Sequence, residues 1–181
     1  NRVSVNINID EGDVAKIRHI NIVGNTHFAE QDLLEQFEQN KTGWLSWITS
    51  DDKYSREKLS GDLETLESWY LDRGYLRFTI NSTQVSVSPD KESVFITINI
   101  DEGDIYTISG IELAGDLIIP ENQARALVLL REDAIFSQIL MTTSSEYITK
   151  RLGNEGYTFA EVEGYPELDE DAKTAKVTFL V

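Results

Sequence analysis

The chain has 181 residues, with 16 basic and 32 acidic side chains, a formal net charge of −16 and no cysteine. That charge repels nucleic-acid phosphates and anionic lipid head groups, which makes both poor candidates as partners. The lack of cysteine removes disulfides, thiolate nucleophiles and zinc–thiolate sites.

The chain opens on Asn1 rather than Met, as expected of a piece of a longer protein. No apolar run reaches the roughly 18 residues that a membrane helix needs. Val3, Val5, Ile7 and Ile9 alternate with polar residues, which is the period of a half-buried strand. Asp10-Glu11-Gly12-Asp13 follows as a turn. A strand is predicted over residues 15–23, then a Gly24-Asn25 turn that tolerates positive φ. Residues 30–38 read as a short helix with Leu33, Leu34 and Phe37 on one stripe. A longer helix spans 55–72, with Leu59, Leu63, Leu66 and Tyr70 at helical spacing and Gly74 as its left-handed end. Strands are predicted over 75–87 and 94–100, joined by a turn at Ser88-Pro89-Asp90-Lys91.

The second half repeats this order. A strand is expected over 105–113, and Pro120 opens a short helix. Ser137 caps a longer one, with Leu140, Ser144, Tyr147, Ile148 and Leu152 inward. Strands over 157–165 and 176–181 close the unit. Asp13 aligns with Asp104 at an offset of 91 residues, carrying Ile20 onto Ile111, Gly24 onto Gly115 and Glu30 onto Glu121. Gly74-Tyr75 aligns with Gly156-Tyr157 at an offset of 82, so the first unit carries nine extra residues. Residues 1–12 match the last strand of such a unit, 13–101 form one unit and 102–181 the next. Each unit is β-α-α-β-β. Its last two strands form a hairpin, and the expected strand order is first, third, second, with two antiparallel helices on one face. The second strand then lies at a sheet edge.

Several stretches are candidate sites. Along Arg77, Phe78, Thr79, Ile80, Asn81, Ser82, Thr83, Gln84, Val85, Ser86 and Val87 the apolar positions change parity. A strand cannot switch faces, so one extra residue, a β-bulge near 81–83, is predicted. Two readings stay open: a bulge that blunts an edge, or a docking edge that accepts an added strand through Arg77, Thr79, Asn81, Ser82, Thr83, Gln84, Val85 and Val87. The surplus residues fall in 41–49, where Trp44, Leu45 and Trp47 either fold onto their own core or anchor a partner. His19 is expected on the surface and His27 in a turn. Neither has a nucleophile beside it or a metal-binding spacing, so no enzyme, metal or cofactor is expected. The repeated Ile-Asn-Ile-Asp-Glu-Gly-Asp at 7–13 and 98–104 lacks the alternate carboxylates of a calcium loop and is expected to be a solvated turn. Asp169-Glu170-Asp171 is expected to be a solvated hairpin loop.

The unit order, with Gly-Asn or Gly-Asp after the first strand and Gly-Tyr after the second helix, resembles the POTRA family. Residues 20–25 (INIVGN), 61–66 (GDLETL), 70–75 (YLDRGY) and 82–85 (STQV) are similar to the third POTRA domain of the outer-membrane β-barrel assembly factors. The next unit would be the fourth, and the opening strand the end of the second. The resemblance implies an α+β fold of two tandem POTRA domains with three-stranded mixed sheets. It also implies the periplasm of a Gram-negative bacterium, an outer-membrane barrel beyond this segment, and a scaffold without catalysis. Partners implied are a BamB-like accessory lipoprotein at the second-strand edge, unfolded outer-membrane proteins and other lipoproteins of the assembly complex. A POTRA module of two-partner secretion or of a cell-division scaffold is the alternative.

Overall fold

Two three-stranded sheets organise the chain, and the computed structural model describes residues 16–37, 56–90 and 92–181. The elements are β1 (Lys16–Val23), α1 (Glu30–Leu34), α2 (Arg56–Leu71), β2 (Thr79–Val87), β3 (Ser93–Asp101), β4 (Thr107–Ala114), α3 (Glu121–Arg125), α4 (Gln138–Asn154), β5 (Glu163–Asp169) and β6 (Thr174–Leu180). The sheet orders are β1-β3-β2 and β4-β6-β5, each with a parallel outer pair and an antiparallel hairpin. This is the expected first-third-second order in a mixed α+β unit, made twice.

β3 is the middle strand of the first sheet, and its pattern shows why. Val94, Ile96, Ile98 and Ile100 are all buried, and the residues between them are not. Leu33, Phe37, Leu66 and Tyr70 cover that face. Phe28, Trp69, Tyr70, Tyr75 and Phe78 add a cluster of edge-on and stacked rings. In the second unit Ala175, Val177 and Phe179 of β6 repeat the alternation, under Ile148 and Leu152 of α4.

Glycines set the turns where nothing else fits. Gly24 has φ 102°, and a Cβ there would lie 2.1 Å from the Ile100 carbonyl oxygen. Gly115 repeats this at φ 94°, 2.3 Å from the Val181 oxygen. The Gly-Tyr pairs end the long helices in Schellman motifs. Gly74 N–H donates to Leu71 and Tyr75 N–H to Tyr70, as Gly156 does to Gly153 and Tyr157 to Leu152.

Four elements differ from the sequence reading. β2 starts at Thr79, not residue 75, because Tyr75 and Phe78 both point into the core. Three residues apart, they cannot share one face of a strand, so a turn with Phe78 N–H on the Tyr75 carbonyl carries them. The same turn, Ala160 N–H on Tyr157, delays β5 to Glu163. α1 ends at Leu34, and a tighter turn buries Phe37. The inward stripe of α4 is Met141, Ser144, Ser145, Ile148 and Leu152, while Leu140 and Tyr147 are exposed. Ser144 fixes that rotation. Its hydroxyl donates to the Leu140 carbonyl and accepts from Leu129 N–H, so it must face the 126–137 segment. Ser137 caps α4 as expected, accepting from Leu140 N–H.

A paired glycine test follows. Gly24→Ala should lower the unfolding free energy by about 1–3 kcal/mol, through the positive φ and the collision with Ile100. Gly61→Ala, inside α2 with nothing within 4 Å of its would-be Cβ, should raise it by about 0.5–1 kcal/mol. Urea unfolding monitored by circular dichroism checks both.

Candidate functional site

The backbone at the β2 edge decides what this face of the molecule offers. β2 pairs with β3 on one side only. The register slips between Ile80 and Ser82, leaving Asn81 as the extra residue where the phase of the sequence required it. The slip sets Thr83, Val85 and Val87 opposite Ile98, Ile96 and Val94, on the core face. Val85 is 46% and Val87 55% exposed, so this end of the face is only partly covered.

The outward direction of each backbone group follows from the hairpin turn. Ser88 N–H donates to the Ser93 carbonyl at 2.8 Å, which makes that a hydrogen-bonded pair. Alternation along an antiparallel ladder then turns Gln84 and Ser86 towards β3, and Thr83, Val85 and Val87 outward. Among the described residues nothing bonds those outward amides and carbonyls. The nine residues of β2, TINSTQVSV, carry no charge and no proline. The bulge is the one edge-blunting device this strand has.

The other edge of the same sheet is finished differently. Glu30, on α1, reaches back so that its carboxylate accepts Ile22 N–H at 2.8 Å, occupying an outward donor of β1. β4 is covered by backbone. Ile108 N–H donates to Ala134 and Asp133 N–H donates to the Ile108 carbonyl, both at 2.8 Å, next to a Thr107–Ile135 bridge.

Of the candidate residues, Thr79, Asn81, Ser82, Thr83, Gln84, Val85 and Val87 all lie on β2. Arg77 does not. It precedes the strand, and its guanidinium grips the Glu170 carboxylate of the second unit, with Nε 2.7 Å from Oε1. Trp44, Leu45 and Trp47 lie outside the described residues. His19 is exposed. His27 sits in the β1–α1 turn with Nδ1 2.7 Å from Glu102.

Glu102 corrects the expectation of a solvated acidic turn. It is only 3% exposed and is the centre of a polar cluster. It accepts the Thr26 hydroxyl at 2.5 Å, Thr26 N–H at 2.9 Å, His27 N–H at 3.0 Å and the Tyr70 hydroxyl at 2.7 Å. Burial pushes the Glu102 carboxyl up, but these donors together hold it down, from an ordinary 4.5 to about 2. Burial and the Glu102 charge push the Tyr70 hydroxyl well up. Neighbouring residues share the joint. Asp101 accepts Gly103 N–H, Gly103 has φ 66°, and Asp104 pairs with Lys173 at 2.8 Å.

Glu170 is exposed, as expected of the hairpin loop, and still has partners. It accepts the Tyr106 hydroxyl at 2.6 Å beside Arg77, and these two donors hold it below the usual carboxylate range. Tyr106 is fully buried, and its N–H donates to the Gly74 carbonyl at 2.9 Å. Asp72, at the end of α2, accepts the Ser137 hydroxyl and Ile139 N–H, so a carboxylate of one unit caps a helix of the other. Leu76 packs into the second core. The α2–β2 turn, which carries the candidate edge, is therefore bonded to the second unit at three points. Sequence reasoning missed Glu102, Glu170, Asp72 and Glu30. The one available signal was the verbatim return of seven letters, since a merely solvated turn accepts any polar residues.

The POTRA family model, described as surface antigen variable number repeat, matches residues 15–103 and 106–181. The outer membrane protein assembly factor BamA of Neisseria meningitidis serogroup B is 28% identical over 175 residues, 96% of this chain and 22% of that protein. BamA of Buchnera aphidicola is 32% identical over 180 residues, 99% of this chain and 29% of that protein. The chain thus spans less than a third of these curated relatives. A crystal structure of Haemophilus influenzae BamA POTRA3-5 superposes with a TM-score of 0.76 at 25% identity, covering 92% of this chain and 65% of that one.

Because the folded state holds Glu102 at about 2 and the unfolded state at the ordinary 4.5, the unfolded chain takes up the proton first. The carboxylate's stabilisation is complete above about pH 4.5 and is lost as pH falls towards 2, roughly 3 kcal/mol in all. Glu102→Gln should be less stable than the native chain at pH 7 by about 2–3 kcal/mol. Its stability should fall less steeply between pH 4.5 and 2 in denaturant titrations.

Proposed function

Because the chain belongs to the POTRA family, we propose that it is a periplasmic scaffold segment of the outer-membrane β-barrel assembly machinery, equivalent to the third and fourth POTRA domains. It docks accessory lipoproteins of the BamB kind and nascent outer-membrane proteins by strand addition to β2. The family is a scaffold family, and the work assigned to this segment is binding.

The observation that carries this reading is the outward row of backbone at Thr83, Val85 and Val87, unbonded among the described residues. Main-chain pairing suits clients that share alternation but no common sequence, because every residue except proline brings the same donor and acceptor. The exposed sides of Val85 and Val87 then add apolar contact to an incoming strand's alternate side chains. The similarity to BamA proteins points to the same setting.

Proline placement tests this sharply. Thr83→Pro removes an outward donor and puts a ring where the added strand would lie, without touching the ladder to β3. It should keep the fold and weaken binding to a purified BamB-like lipoprotein at least tenfold, or about 1.4 kcal/mol. Gln84→Pro, one residue on, removes an N–H that faces β3 and should instead destabilise the first unit. Unchanged affinity of the Thr83→Pro protein, measured by titration calorimetry, would sink the assignment of β2 as the docking edge.

A further inference from the structure

β5 holds the same place in the second sheet as β2 in the first, at the outer side of an antiparallel hairpin. Its sequence is EGYPELD. The ladder to β6 runs from Glu163 to Asp169 without a register break, through Tyr165 opposite Thr178 and Pro166 opposite Val177. A ring nitrogen pointing at β6 would interrupt that ladder, because proline has no N–H to give. The nitrogen of Pro166 therefore faces outward, and so do the backbone groups of Gly164 and Leu168 on either side.

Pro166 thus removes the central donor of the row that an incoming strand would use, and its ring stands in that strand's path. The neighbours reinforce this. Glu163, Glu167 and Asp169 put three carboxylates on a strand of seven residues, whereas the nine residues of β2 carry none. Charge and proline are the two devices that natural sheets use most directly to keep an edge unpaired. Among the described residues the other edges are each finished at some point by their own means: Glu30 takes the Ile22 donor of β1, the 133–135 segment crosses β4 at Ile108, and Pro166 stands with its carboxylates on β5.

Resting on the proposed docking at β2, we infer that Pro166 is the specificity-determining residue of the second unit. With Glu163 and Glu167 it closes β5 and confines strand addition to β2. The two repeats share a fold but divide the labour. One takes an extended, uncharged strand of a partner, and the other is finished as a non-pairing spacer joined to it.

The test is a residue-resolved NMR titration of the whole chain with a peptide copying Ser93–Asp101, the strand that already pairs with β2, extended by two lysines for solubility. The native chain should shift at β2 and not at β5. The variant Pro166→Val with Glu163→Thr and Glu167→Thr should gain a second set of shifts at Gly164 and Leu168, with an affinity within about tenfold of the β2 site. Pro166→Ala alone should gain the same site more weakly, and it guards against misfolding of the triple variant. Shifts at β5 in the native chain would overturn the inference. So would the absence of any at β5 in the variants, with the remaining spectrum native-like, whether or not β2 binds. Binding at β5 in the variants with none at β2 would leave Pro166 in this role and remove the reading of β2.

Discussion

A strand at the edge of a sheet turns every second pair of its backbone groups away from its one neighbour. Among the described residues, two three-stranded sheets leave four such rows to finish. A carboxylate finishes part of β1, a chain segment crosses β4, and a proline among acids sits on β5. β2 keeps its outward row at Thr83, Val85 and Val87. The bulge at Asn81 makes this arrangement compatible with a core. Paired without that register slip, Val85 and Val87 would turn to the open face with Phe95, and Ile80 alone would remain on the helix side. The bulge therefore keeps the apolar face continuous and sets which amides point outward.

The joint fixes where that edge is presented. Asp101 shapes the turn, Glu102 reaches into the first unit, Gly103 supplies the left-handed residue and Asp104 reaches Lys173 in the second. Exposed pairs such as Arg77–Glu170 contribute little by themselves. Tyr106 is different, being fully buried, with its N–H on Gly74 and its hydroxyl on Glu170. Asp72 then lies over the start of α4, where the last turn of one long helix meets the first turn of the next. Because these contacts come from the turn just before β2, the β2 edge and the second unit are held by the same few residues.

Local periodicity made much of this legible. Alternation in β3 and β6, the Gly-Tyr helix ends and the parity change along β2 are short-range signals, and each led to the right element. The bulge was found because a period of two admits one repair. The start of β2 was not found, since Tyr75 and Phe78 read as strand residues until a turn is known to carry both inward. Glu102 was misread as solvated because its partners Thr26 and His27 lie about 75 residues away, and no local pattern announces them. Arg77 fell in a plausible strand for the same reason, its partner Glu170 being 93 residues distant. The repeat does not extend to every aligned carboxylate. Glu121 aligns with Glu30, yet Glu30 caps β1 whereas Glu121 pairs with Arg125.

Native-state amide hydrogen exchange, resolved by residue, tests the claim of an open β2 edge most directly. The account predicts that the amides of Thr83, Val85 and Val87 exchange fast in the unbound chain. Gln84 and Ser86 between them, and the edge amides of Ile22 and Ile108, should be protected. Protection of Thr83, Val85 and Val87 to the level of Gln84 and Ser86 would mean that this edge is already closed, and would contradict it.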